Sequence, residues 1–208
     1  MPIAVIPPLP IQGDLELPAN AEAVILFAHG SGSSRFSRRN LFVAERLRDG
    51  KLGTLLIDLL TPNEDAVYET RFNIPLLTTR VLQAAEWLRH RPDTADLPIG
   101  YFGASTGAAA ALVAAAERPD LVYSVVSRGG RPDLAGDALR RVHAPALLIV
   151  GKLDEQVLEL NQDALTQLNH WSRLAIVPHA THLFEEPGTL EEVAVLALDW
   201  FRHTLHHP

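Results

Sequence analysis

Residues 97–117, Leu-Pro-Ile-Gly-Tyr-Phe-Gly-Ala-Ser-Thr-Gly followed by Ala-Ala-Ala-Ala-Leu-Val-Ala-Ala-Ala-Glu, decide how this chain is built. The run Leu97–Phe102 is apolar, of strand length and bounded by turn residues, whereas Thr106–Glu117 is an alanine-rich helical stretch. A chain that passes from strand to helix in so few residues bends sharply, and Gly103 and Gly107 lack the Cβ atoms that would collide in such a bend. Ser105 stands at the apex. Its hydroxyl is pushed above the sheet edge, and the Thr106 amide opens a helix N-terminus, where N–H groups favour developing negative charge. The same G-x-S-x-G spacing also arises where a serine merely caps a helix. The strand before it and the small-residue helix after it favour a nucleophile.

Outward from this turn the same alternation repeats. Short apolar runs occupy Ala23–Ala28, Thr54–Leu59, Leu121–Ser127, Ala146–Val150 and Arg173–Val177, each apolar on both faces like Leu97–Phe102. Helical patterns fall between them at Arg38–Arg48, Pro75–His90 and Gln156–Asn169, with Leu190–His203 closing the chain. Strands buried on both faces and separated by helices predict an α/β fold, an open and mostly parallel sheet with helices on both sides that binds ligands at the carboxyl ends of its strands. The first twenty residues, with Ile11–Leu17 alternating after a proline-rich start, read as one or two extra antiparallel edge strands. No repeat or low-complexity linker interrupts the pattern, so residues 1–208 read as a single domain.

A serine nucleophile needs a base, a carboxylate that orients the base, and donors for an oxyanion. After the strand Ala23–Ala28 comes His29-Gly30-Ser31-Gly32-Ser33-Ser34, a glycine-rich loop on an earlier strand of the same sheet. The Ser31 N–H can supply the second oxyanion donor beside that of Thr106. A dinucleotide loop fits less well, because Arg35 stands where the third glycine belongs and no Walker lysine follows. His29 reads as a hydrogen-bonded structural histidine. Downstream, the strand Ala146–Val150 runs into Gly151-Lys152-Leu153-Asp154, and Arg173–Val177 into Pro178-His179-Ala180-Thr181-His182. Asp154 is the preferred acid, with Glu155 beside it as an alternative, and His182 the preferred base, with His179 as its alternative. Basic residues also gather near the strand ends, with Arg128 and Arg131 after one strand and Arg35, Arg38 and Arg39 after the glycine loop. Arg128, with or without Arg35, is the candidate to hold an anionic substrate group through paired N–H donors; the competing role for these arginines is neutralising nearby acids such as Asp133.

Composition sets the bounds. Of 208 residues, 47% are hydrophobic and 21% charged, and there is no cysteine, which removes thiol catalysis, disulfides and cysteine-ligated metals. The net charge is −7, which disfavours a sequence-independent grip on nucleic acid or anionic lipid. The apolar stretches Ala21–Ala28 and Ala108–Ala116 are too short to span a bilayer, and Met1–Pro8 has no basic region followed by a continuous apolar one. A cytoplasmic protein with a small-molecule acyl substrate, and with no metal or organic cofactor, is the expectation.

The segments HGSGSSR (29–35), IDLLTPNED (57–65), FGASTGAAAAL (102–112), SRGGRPDL (127–134), GKLDEQV (151–157) and HATHLFEEPGTL (179–190) together resemble the α/β-hydrolase superfamily, specifically its dienelactone-hydrolase-like branch. The order Ser105, Asp154, His182 matches that superfamily's order of nucleophile, acid and base. HGSGSSR and SRGGRPDL are similar to a narrower group of small hydrolase domains, some of them fused to phosphoribosyltransferases. The resemblance implies about eight strands, with Ser105 as nucleophile, His182 as general base and Asp154 orienting it. It departs at one point: dienelactone hydrolase uses a cysteine where this chain has Ser105. About twenty residues lie between Ser127 and Ala146, too few for a helical cap, so the pocket is expected to be shallow and open. The implied activity is hydrolysis of carboxylic esters or related acyl compounds. Thioester hydrolysis, acyl transfer by the same residues, and a non-catalytic binding domain on the same fold are the alternatives.

Overall fold

The computed structural model describes residues 4–7 and 11–206. Eight strands form one sheet: β1 (Ala4–Ile6), β2 (Ile11–Glu16), β3 (Ala23–Ala28), β4 (Leu52–Ile57), β5 (Ile99–Ala104), β6 (Ser124–Arg128), β7 (Ala146–Gly151) and β8 (Arg173–Val177), in the order β1-β2-β4-β3-β5-β6-β7-β8. The β1–β2 and β2–β4 pairings are antiparallel, and every other pairing is parallel. Among the described residues six α-helices accompany the sheet: α1 (Arg38–Asp49), the single turn α2 (Pro62–Asp65), α3 (Ile74–Arg89), α4 (Thr106–Glu117), α5 (Glu155–Leu165) and α6 (Thr189–His206). Among the described residues no helix is long and apolar enough to cross a membrane.

The sheet is covered on both faces because its central strands are apolar at every position. Along β3 the side chains alternate between two cores. Val24, Leu26 and Ala28 face Val81 of α3 and Ala109–Leu112 of α4, while Ala23, Ile25 and Phe27 face Val43 and Leu47 of α1 and Val193 and Phe201 of α6. In α4, ten of the residues from Thr106 to Ala116 are buried, and alanine at most of them lets the helix lie close to the sheet. The 3-10 turns of Pro132–Arg141 fill the β6–β7 connection and pack on α4, so no cap domain rises there.

Several elements differ from the expectation. β8 is the edge of the sheet, half exposed, with Ile176 42% accessible, because only β7 pairs with it; its apolar composition does not mean burial on both faces. β4 begins and ends two residues earlier than predicted, and β5 runs on to Ala104, which puts Ser105 immediately after the last strand residue. Pro119–Leu121 forms a 3-10 turn, so β6 starts only at Ser124 and ends with Arg128 inside the strand. α5 stops at Leu165, and α6 continues to His206.

Candidate active site

Six parallel strands end at the same edge of the sheet, and five of them contribute a residue or a loop there: His29–Ser31 after β3, Ser105 after β5, Arg128 at the end of β6, Asp154 after β7 and His182 after β8. Crossovers of one hand align the carboxyl ends of the strands, so residues distant along the chain become neighbours.

At the sharp turn, Ser105 has φ 50° and ψ −121°, and its side chain makes no capping bond to α4. That backbone is strained for a residue with a Cβ, and the hydroxyl is not used to start the helix. The turn is fixed from outside: the Ser105 N–H donates to the Arg128 carbonyl (3.3 Å), and the Ser105 carbonyl accepts from the amides of Ala108 and Arg131, both at 3.1 Å. Gly107 is needed for close approach, since a Cβ there would lie 2.3 Å from the Ala28 carbonyl oxygen. At Gly30 a Cβ would come 3.0 Å from that of Ser105, so the glycine loop lies directly against the serine.

The acid and the histidine are held by backbone bonds between their two loops. The Leu153 N–H donates to the Ala180 carbonyl (2.9 Å), and the Lys152 N–H to that of Val177 (2.9 Å). Beyond them, Nδ1 of His182 lies 2.6 Å from Oδ2 of Asp154. A carboxylate only accepts, so Nδ1 carries the proton, and in the neutral ring Nε2 is then an acceptor. Asp154 is 15% exposed and His182 39%, so the pair is partly shielded while the ring keeps access to solvent. Thr181 braces the loop by donating from both N–H and Oγ1 to the Glu186 carboxylate, at 3.1 and 2.6 Å, which holds Glu186 below its ordinary pKa. Glu155 begins α5 and His179 is exposed.

A cavity of about 250 Å³ is lined by Ser31, Ser105, His182, Arg128, Arg39 and Asn40 among others. Thr106 lines a smaller cavity on the other side of Ser31, together with His29. Ser31 lines both cavities, whereas Thr106 does not line the one that holds Ser105. The two arginines singled out from the sequence part company here. Arg35 donates from Nε to Asp14 (3.1 Å), from NH1 to Asp58 and from its backbone N–H to Asp58 (2.9 Å), and it does not line the cavity. Arg128 does line it, is 7% exposed and pairs with no carboxylate among the described residues. Burial, then the charge of nearby Arg39, lowers its pKa to about 10. Arg131 is held by Asp133 in a two-pronged pair at 2.8 and 2.7 Å.

His29 is buried; its Nδ1–H donates to the Gly30 carbonyl (2.8 Å), and its Nε2 accepts the Leu59 N–H (3.0 Å). Burial lowers its pKa, and both nitrogens are used in holding the glycine loop to the end of β4. Two groups are not visible as site residues in the sequence. Asn161, fully buried on α5, donates to the Gly130 carbonyl (3.0 Å) and supports the loop after Arg128. Asn40 reaches the site only because α1 starts beside it.

A sheet with this order, a serine on a strained turn after β5 and an Asp–His pair after β7 and β8 define an α/β-hydrolase fold. The chain is similar to the crystal structure of dienelactone hydrolase from Anabaena variabilis ATCC 29413, with 55% sequence identity, a TM-score of 0.93 and coverage of 97% of this chain and 95% of that one. It belongs to the dienelactone-hydrolase-like branch of the α/β-hydrolases. A monoacylglycerol lipase from Paleococcus ferrophilus shares the fold at 15% identity, with a TM-score of 0.74 and full coverage of both chains. Among curated proteins, "Putative phosphoribosyl transferase Rv0571c" of Mycobacterium tuberculosis is 58% identical over 194 residues, 93% of this chain. The chain spans under half, 44%, of the length of that relative. No family model matches the chain.

Proposed function

We propose that the chain is a serine hydrolase that cleaves carboxylic esters or related acyl compounds through an acyl-enzyme. Ser105 Oγ attacks the acyl carbon and its proton passes to Nε2 of His182 while Asp154 holds the ring by Nδ1–H. The carbonyl oxygen becomes an oxyanion facing the amides of Ser31 and Thr106. As the oxyanion collapses, the acyl–oxygen bond breaks and the departing alcohol takes the proton from His182. Water then attacks the acyl-enzyme, gives its proton to the same ring and releases the acid, and Ser105 recovers its hydrogen. Every proton is returned at the end of the cycle.

The observation that carries this reading is the Nδ1–Oδ2 contact of 2.6 Å between His182 and Asp154, on a histidine that shares its cavity with a serine not spent on capping. The transferase name of the longer relatives is not carried over, since more than half of their length lies outside the matched region. A fluorophosphonate probe tests the proposal: labelling is expected on Ser105 and is expected to disappear in His182→Ala. Labelling elsewhere, or labelling that survives loss of His182, overturns it.

A further inference from the structure

Arg128 breaks a general rule. A guanidinium buried this far is nearly always paired, because removing a charge from water costs several kcal/mol unless an opposite charge and hydrogen bonds replace the solvent. Arg128 has neither in full. It is 7% exposed, its Nε has no hydrogen-bond partner, and its NH2 has only a long contact of 3.4 Å to Asn40 Oδ1. On its other side the ring of Phe184, 5.9 Å away, supplies no anion.

A second cation faces the same space. Arg39 also has a buried Nε without a partner, and its NH1 turns outward to Glu185 (3.1 Å), an exposed residue on the loop that carries His182. Arg39 belongs to the first turn of α1, a helix of 12 residues whose N-terminal turn contains no acid but does contain Arg38 and Arg39. Positive side chains at a helix N-terminus oppose the helix dipole and are normally avoided. Ser33 and the N-cap Ser37 line the cavity as well. Two guanidiniums, two hydroxyls and a helix N-terminus therefore line one volume beside Ser105, and the two carboxylates that reach its lining residues are both engaged, Asp154 by His182 and Glu185 by Arg39.

We propose that Arg128, Arg39 and the first turn of α1 form a receptor for an oxyanion of the substrate, and that the ester cleaved here carries a phosphate monoester. Donors reach the cavity from the end of β6, from α1 and from the loop at Ser33. That spread suits a tetrahedral anion with three terminal oxygens better than the two coplanar oxygens of a carboxylate. The cavity, at about 250 Å³, lies below the roughly 300–1,000 Å³ of drug-sized sites, leaving room for a phosphate and a short acyl chain. The receptor stands on its own residues. Only its use on a substrate rests on Ser105 being the nucleophile.

Binding of inorganic phosphate, measured by calorimetry at pH 8, separates the two claims. Wild type and Ser105→Ala are expected to bind phosphate equally and more tightly than acetate. Arg128→Met is expected to weaken binding by at least about tenfold, and Arg39→Met by several-fold, in line with the loss of charge-assisted hydrogen bonds. Circular dichroism checks that each variant is folded, and should Arg128→Met fail to fold, Arg39→Met carries the test. Absence of phosphate binding to wild type, unchanged affinity in the folded arginine variants, or tighter binding of acetate than of phosphate overturns the proposal. If phosphate binds through these arginines but Ser105 takes no fluorophosphonate, the receptor stands and the hydrolase reading falls.

Discussion

On either side of Ser105 a glycine-containing loop is associated with an arginine, and the two sides are finished in opposite ways. On the side of the loop after β3, Arg35 meets two carboxylates, Asp14 from β2 and Asp58 after β4, and His29 uses both ring nitrogens on the backbone. On the side of β6, Arg128 is as buried as Arg35 and meets no acid. The first arrangement is complete without a ligand. The second is not. A saturated charge network holds a loop in place, whereas an unsaturated one holds free energy in reserve for something that arrives.

Substitutions can break or sharpen this contrast, beginning with the serine between the two sides. Ser105→Ala is expected to lower kcat by about 10⁴–10⁶ on a short neutral ester such as p-nitrophenyl acetate without moving the thermal midpoint. Asp154→Asn, which leaves the His182 ring free to take the wrong tautomer, is expected to cost about 10³–10⁴ in kcat in the same assay. Both losses fall on chemistry; those on the flanks fall on stability and binding.

Arg35→Met leaves the carboxylates of Asp14 and Asp58 close together without their cation. Breaking a fully buried pair costs about 3–5 kcal/mol, and with both acids partly open to water a loss of about 2–3 kcal/mol is expected in urea unfolding. Arg128→Met is expected to change stability by under about 1 kcal/mol, or to raise it, because it leaves no carboxylate behind, gives up only the long 3.4 Å contact to Asn40, and replaces an unpaired charge with an apolar chain. Equal losses in the two variants would erase the contrast.

The smallest effect is a pH dependence. Burial lowers the pKa of His29 below its ordinary 6.5, so the unfolded chain binds a proton at a higher pH than the folded one. Its contribution is complete above 6.5 and declines as pH falls from there toward the folded-state pKa. His29→Gln is expected to flatten the decline in thermal midpoint between about pH 6.5 and 5. An unchanged slope would mean that another group sets it.

Much of this organisation is legible in the chain itself. The alternation of short apolar runs with helical stretches forces a parallel sheet, and a parallel sheet brings the ends of β5, β7 and β8 together, so Ser105, Asp154 and His182 could be named from their places after strands. What could not be read is charge pairing across the fold. Arg35 and Arg128 look alike locally, each within a few residues of a glycine loop, and their difference comes from Asp14 and Asp58, respectively 21 and 23 residues from Arg35 along the chain. Arg39 stands among the basic residues after the glycine loop, but that it and Asn40 face the cavity is not legible in the sequence, because which face of α1 turns toward Ser105 depends on how α1 packs with α6. The exposed flank of β8 is not legible in the sequence because apolar composition does not reveal that a strand has a neighbour on one side only.

One residue takes part in both the turn and the cavity. The main chain of Arg128 receives the Ser105 N–H, and its side chain ends in the space beside that serine. Such a residue works as a ruler, since whatever its guanidinium grips is set at a fixed span from the Ser105 hydroxyl. A homologous series of esters lengthened one methylene at a time between phosphate and carbonyl should accordingly give a peak in kcat/KM at one length, with a fall on either side.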